Sequence, residues 1–129
     1  LESNEYQHVI LTHCDLNSEW NQQAYADIEL EIDGKSYAAN GAGNGGFDAF
    51  TSAVNSILTE LGMQLPELLD YKVHIPRGGQ TSALTEASIT WQLDGKMKTT
   101  TRGMHANQVF AAIEATLRLL NRLLHDRVQ

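Results

Sequence analysis

Polar and apolar positions alternate cleanly from Ala24 to Ile32. Ala24, Ala26, Ile28, Leu30 and Ile32 fall on one side, and Tyr25, Asp27, Glu29 and Glu31 fall on the other. A period of two with one wet face predicts an antiparallel strand that buries a single side. Asp33-Gly34 follows, and its glycine accepts the positive φ that a tight type I′ hairpin requires. Residues 36–40 then predict a short return strand of small side chains. From Phe47 the period becomes helical: Phe50, Val54, Ile57, Leu58 and Leu61 share one face, and Gly62 stands where such a helix stops. Upstream, residues 6–14 are rich in β-formers and predict a first strand, joined to the second by a polar, turn-like stretch over residues 15–21.

The same plan then recurs. Leu69, Tyr71, Val73 and Ile75 alternate as a strand that Pro76 through Gly79 break, and Ala83, Ala87, Ile89, Trp91 and Leu93 face one way along the next. Asp94-Gly95-Lys96 repeats Asp33-Gly34-Lys35, so that Ile28, Leu30 and Ile32 fall opposite Ile89, Trp91 and Leu93. Residues 97–101 return, Gly103 marks a turn, and Asn107 stands as the N-cap of a helix striped by Val109, Phe110, Ile113, Leu117 and Leu120. A repeat marks a unit that cannot bury its apolar face alone. The expected fold is α+β: a pseudo-symmetric duplication of two βββα units, each an antiparallel three-stranded sheet covered by one helix. The repeats span about residues 6–62 and 67–124 of a single domain over 1–129, with the cleft between them as the natural place for a site.

Composition narrows the function classes. With 129 residues there is room for one domain, and 42% hydrophobic against 19% charged residues fits a globular chain. A net charge of −7 argues against a nucleic-acid partner, which needs a basic face. No apolar run reaches the ~18 residues of a membrane span. The single cysteine, Cys14, leaves no internal disulfide and fits a reducing, cytoplasmic setting. The start at Leu1 is what a domain cut from a longer protein would show.

Candidate chemistry is sparse. Of the five histidines, His13 lies beside Cys14, but neighbours on a strand point to opposite faces, so no metal site is expected. Ser, Cys and His fall into no nucleophile–base spacing, and no catalytic residue is assigned. Gly41, Gly43 and Gly46 spell G-x-G-x-x-G, the dinucleotide pattern, yet the preceding strand is the second arm of a hairpin rather than the buried parallel strand that a nucleotide fold needs. The segment is therefore read as a glycine turn with positive φ at several positions. Such a turn bares backbone N–H groups at a helix start, where a carboxylate docks as readily as a phosphate. Asp48, in the first helical turn, also complements the helix dipole.

The residues at this turn resemble a known family. Asn40-Gly41-Ala42-Gly43-Asn44-Gly45-Gly46-Phe47-Asp48-Ala49 is similar to the G-x-G-x-x-D-A signature of the C-terminal regulatory domain of 2-isopropylmalate synthases, which citramalate synthases also carry. Leu69-Asp70-Tyr71-Lys72-Val73 looks like that family's strand after the first helix, and the segment from Gly103 to Leu120 like its closing helix. The resemblance implies a leucine-sensing, homodimerising module without chemistry of its own. Its parent would be an acyltransferase joining acetyl-CoA to 2-oxoisovalerate in an upstream catalytic TIM barrel that needs a divalent metal and lies outside this chain, which itself takes no cofactor. It further implies a leucine site at the dimer interface, mapped onto Gly43, Asn44, Gly45, Gly46, Phe47, Asp48, Asp70, Tyr71 and Ile75, with Ala83 and Thr85 after an ambiguous loop. The sequence departs from the family pattern with Gly46 in place of the usual proline, Asn107 in place of an acid, and Met104-His105 in place of small residues. Three functional readings follow: a leucine or isoleucine sensor, a purely structural dimerisation module, and a small stand-alone enzyme, the last disfavoured by the absent acid–base constellation.

Overall fold

The alternation over Ala24–Ile32 becomes the middle strand of a sheet. A computed structural model describes residues 7–75 and 84–127, which order as β1 (Val9–Asn17), β2 (Ala24–Ile32), β3 (Lys35–Gly43), α1 (Gly46–Glu60), β4 (Glu67–His74), β5 (Thr85–Gln92), β6 (Lys98–His105) and α2 (Gln108–Arg127). The strands form two antiparallel three-stranded sheets, ordered β1-β2-β3 and β4-β5-β6, and each sheet is followed by a helix. The fold is α+β with a βββα plan used twice, as the sequence pattern predicts. The chain divides into two compact units, Gln7–Leu65 and the described residues from Pro66 onward.

In the first unit α1 lies over β2 and β3. Ile28 and Leu30 from the sheet meet Phe50, Val54, Ile57 and Leu58 from the helix, all fully buried. Asp33 and Gly34 both take positive φ, as a type I′ turn demands. Gly62 ends α1 as expected: at φ +73 its N–H donates to Thr59 O at 3.1 Å, and the Met63 N–H reaches back to Leu58 O at 2.8 Å. Those two bonds make a Schellman cap.

β1 differs from its sequence reading. It continues to Asn17, through Asp15 and Leu16, because these residues stay in register with Asp27, Ala26 and Tyr25 of β2. Ladder pairing outweighs the polar composition that reads as a turn; Tyr6 lies outside the described residues. A bulge at Thr12 interrupts β1 between Leu11 and His13, and a bulge at Leu69 interrupts β4 between Leu68 and Asp70. The repeat therefore extends to its irregularities.

In the second unit α2 lies over β5 and β6, burying Ile89 and Trp91 against Leu119, Leu120 and Thr116. The Trp91 Nε1–H donates to Thr101 Oγ1 at 3.0 Å, so the buried indole is satisfied and serves packing, as the core stripe suggests. The Thr116 hydroxyl donates to Ala112 O at 2.9 Å. Alanines at 111, 112 and 115 lead the buried face of α2, whereas Val109, Phe110 and Leu117 of the expected stripe are only half-buried. The hairpin here is one residue longer than in the first unit. Leu93 pairs with Met97 around Asp94-Gly95-Lys96, where Ile32 pairs directly with Lys35 in the first sheet.

Candidate functional site

The glycine segment is built differently from the turn expected. β3 runs on past Asn40 to Gly43, so Gly41 and Gly43 are strand residues. Neither they nor Gly45 and Gly46 take positive φ, which among the described glycines belongs to Gly34, Gly62 and Gly95. Their role is close approach. A Cβ on Gly41 would run into the Ala49 carbonyl oxygen and lie 2.5 Å from Ala53 N, and one on Gly43 would lie 2.6 Å from the Asp48 Cβ. The absent side chains let the backbone of α1 settle onto β3. Gly103 repeats this in the second unit: it is a residue of β6, not of a turn, and its Cβ would collide with Ala111 O and sit 2.7 Å from Ala115 N. Gly41-Ala49-Ala53 and Gly103-Ala111-Ala115 are the same device at the same spacing. That spacing was visible in the sequence but reads as a flexible turn until helix and strand are seen in contact. The antiparallel setting of β3 also disposes of the dinucleotide reading of Gly41, Gly43 and Gly46.

The two helix starts are not alike. Gly45 is the N-cap of α1, extended at φ −145 and ψ 175, and no capping side chain bonds to the helix. The opening N–H groups of any helix lack intrahelical partners. At α2 the Asn107 Oδ1 accepts the N–H of Val109 at 2.8 Å and of Phe110 at 3.1 Å, while the Asn107 N–H donates to His105 Nδ1 at 2.9 Å. Asn107 is thus the N-cap its sequence position predicts, and it closes the position equivalent to the glycine segment. His105 also meets Phe110 edge to face at 5.1 Å.

The mapped residues divide between the units. Gly43, Asn44, Gly45, Gly46, Phe47 and Asp48 are contiguous at the β3–α1 junction, with Asp48 exposed in the first turn and half-buried Phe47 stacked on Phe50 at 6.3 Å. Asp70, Tyr71 and Thr85 belong to the second unit, with Ile75 just after β4. Asp70 and Tyr71 point to opposite faces of their strand. Asp70 pairs with Thr90 on the open face and sits 3.6 Å from Lys72, whereas Tyr71 pairs with Ile89 on the helix side, where burial pushes its hydroxyl pKa up. Thr85 is buried at the head of β5, Ile75 is exposed, and Ala83 lies outside the described residues.

A cleft of about 270 Å³ opens elsewhere, lined by Asp15, Asn17, Tyr25, Ala26, Asp27, Asn40 and Gly41. Asp15 and Asp27 face each other directly across β1 and β2, so its wall is acidic and unsuited to a carboxylate. The cleft shares no residue with the mapped set. Beside it, burial first and then Asp15 raise the pKa of the Cys14 thiol above its ordinary value of 9.0. The folded state thus favours the neutral thiol. Its contribution to stability is full below the ordinary value and is lost as pH rises through the raised one. Cys14 is expected to react with an aromatic disulfide reagent at pH 8 several-fold more slowly than free glutathione, the rate climbing with pH; a rate matching glutathione would show the thiol to be unshielded.

The family model of the LeuA allosteric (dimerisation) domain matches residues 1–124. The chain belongs to that family. A probable 2-isopropylmalate synthase of Methanopyrus kandleri is 33% identical over 102 residues, covering 79% of this chain and 20% of the relative. The 2-isopropylmalate synthase of Aquifex aeolicus is 31% identical over 120 residues, covering 93% and 22%. An (R)-citramalate synthase of Synechocystis is 28% identical over 111 residues, covering 81% and 20%. The chain therefore spans about a fifth of the length of the curated relatives it matches. Among the described residues no helix is long and apolar enough to cross a membrane.

Proposed function

We propose that this LeuA-family chain is the feedback-regulatory and dimerisation module of a cytoplasmic acyltransferase of the 2-isopropylmalate synthase type, and that it binds L-leucine at the start of α1. The observation that carries the reading is the contrast between the helix starts: Asn107 closes α2, while α1 offers a glycine N-cap with no side chain over its opening amides. A carboxylate there gains from both the amides and the helix dipole. The ammonium end needs an acid, for which Asp70 is the candidate that the resemblance maps; the same resemblance maps Tyr71 and Ile75 as apolar partners of the isobutyl group and, after an ambiguous loop, Ala83 and Thr85. Catalysis, and the divalent cation it requires, belong to the parent's barrel. This module acts on the barrel only through a coupling free energy between the two sites, with two copies joined as a homodimer.

Thermal melts with millimolar leucine, isoleucine, valine and alanine test this. A ligand specific to the folded state adds about 2.7 kcal/mol at a hundred times its Kd. That amounts to a rise of several degrees in Tm, with leucine well ahead of alanine. Isoleucine ahead of leucine would favour the citramalate branch, a reading supported by the Synechocystis relative. No shift with any of them leaves a structural dimerisation module. Gly45→Asp sharpens the test. A Cβ at Gly45 meets no atom within 4 Å and the backbone is extended, so the new carboxylate is free to cap α1. Folding should be unchanged or improved by a few tenths of a kcal/mol, and the leucine shift should vanish because the ligand's place is taken. A retained shift would put the ligand elsewhere.

A further inference from the structure

Asparagine is followed directly by glycine at two places in the chain, Asn40-Gly41 and Asn44-Gly45. With no Cβ on the second residue, little shields the asparagine side-chain amide carbon from the backbone nitrogen that follows it. Attack by that nitrogen closes a succinimide ring. The two dipeptides are chemically the same, yet the first unit sets them in opposite surroundings.

Asn40-Gly41 is held. Gly41 belongs to β3, whose ladder with β2 runs in unbroken register from Ile32–Lys35 to Ala24–Gly43. A two-residue hairpin loop closes on a hydrogen-bonded pair, and such pairs alternate along an antiparallel ladder, so Ala26–Gly41 is a bonded pair. The Asp33 N–H points the other way, to His8 O at 2.9 Å, which agrees with that phase. The Gly41 nitrogen is therefore committed to Ala26. α1 pins it further, since a Cβ at Gly41 would lie 2.5 Å from Ala53 N. Ring closure at Asn40 requires both restraints to open.

Asn44-Gly45 carries neither restraint. Asn44 is exposed, in the bend between β3 and α1. Among the described residues no backbone acceptor holds the Gly45 N–H, and a Cβ at Gly45 would meet no atom within 4 Å. The nitrogen is at liberty to swing, and the ring has room to form.

We propose that Asn44 is a site of spontaneous deamidation, and that the fold protects Asn40 from the same reaction. The Gly45 nitrogen gives its proton to solvent base and bonds to Asn44 Cγ; the Cγ–Nδ2 bond breaks and ammonia leaves. Water then opens the succinimide at either carbonyl, giving aspartate or isoaspartate. The net change is one water in and one ammonia out, with no redox step. Both products place a new negative charge immediately before the Gly45 N-cap. One consequence rests on the leucine reading above: the charge stands where the ligand carboxylate would come, and repulsion removes binding.

Ageing the 129-residue chain in warm, mildly alkaline buffer, then peptide mapping by mass spectrometry, reads both sites in one sample. Parallel ageing in guanidinium chloride gives the intrinsic rates. Unfolded, the two sites should convert alike. Folded, Asn44 should convert at least about tenfold faster than Asn40, because reaction at Asn40 waits on a local opening of the ladder. A folded ratio no larger than the unfolded one overturns the proposal, as does conversion of neither site in the folded chain. Asn44→Gln should abolish the acidic species that ageing produces; its undiminished accumulation would place the main reaction elsewhere and overturn the proposal too. Separated by anion exchange, that acidic fraction of the parent should show no rise in Tm with leucine, while the unmodified fraction keeps it. A retained rise in the acidic fraction overturns the consequence for binding. No rise in either fraction overturns the leucine reading and leaves the deamidation standing on the peptide map.

Discussion

Gly103→Ala is expected to destabilise the chain by about 3 kcal/mol, at the upper end of the usual cost of overpacking. The added methyl group meets backbone rather than a side chain that could turn away: Ala111 O on one side and Ala115 N at 2.7 Å on the other. Relief requires α2 to lift off β6, which uncovers Trp91, Leu119 and Leu120. Gly41→Ala should behave alike in the first unit, against Ala49 and Ala53. The control is Gly45→Ala, where no atom lies within 4 Å and φ is −145. There alanine meets no clash: a narrower unfolded ensemble and a poorer N-cap oppose each other, so stability should change by less than about 1 kcal/mol. Urea titrations of the three variants decide the matter. Equal midpoints for Gly103→Ala and Gly45→Ala would mean that the helix does not bear on the strand as described.

Trp91→Ala is expected to cost about 3–5 kcal/mol, the range for removing a large aromatic side chain from a core. The indole is 1% exposed, sits on β5 under α2, and gives its N–H to Thr101. Its truncation leaves a large void and a hydroxyl without its donor. Trp91→Phe separates the two effects by keeping most of the volume, and should cost about 1–2 kcal/mol. At roughly 4 °C of Tm per kcal/mol for a chain of this length, the alanine variant falls by more than 10 °C and the phenylalanine variant by a few degrees. Far-UV circular dichroism follows both, since Trp20 is 89% exposed in the folded state and its emission would change little on unfolding. A loss below 1 kcal/mol for Trp91→Ala would show that the second core does not form around this residue.

The two repeats differ at their helix starts, and the proposed function gives that difference a use. In the second, Asn107 and His105 satisfy the helix start internally, which favours rigidity over binding. In the first, a glycine N-cap leaves the start of α1 without a side-chain cap, which is where the proposed ligand carboxylate would bind. Two of the residues that depart from the family's usual pattern, Asn107 and His105, thus acquire a physical meaning in the capping geometry.

The sequence by itself determined the elements and their order. Alternation over Ala24–Ile32 and the Asp33-Gly34 turn specify a hairpin because side-chain period and turn chemistry are local, and both appear with the expected bounds and φ signs. Gly62 and Asn107 announce helix ends for the same reason, since a cap is satisfied within a few residues of chain. Tertiary structure decided what depends on neighbours distant in sequence. Asp15 to Asn17 read as a turn but pair with β2, because a ladder supplies hydrogen bonds that local propensity does not count. Gly41, Gly43 and Gly103 read as turn residues, yet they are strand residues cleared for a helix backbone, and only the approach of α1 and α2 distinguishes a glycine needed for space from one needed for φ. The same holds for the site. The contiguous stretch from Gly43 to Asp48 was legible as a motif, while the opposite facing of Asp70 and Tyr71 emerges only once pairing with β5 fixes the register around the bulge at Leu69.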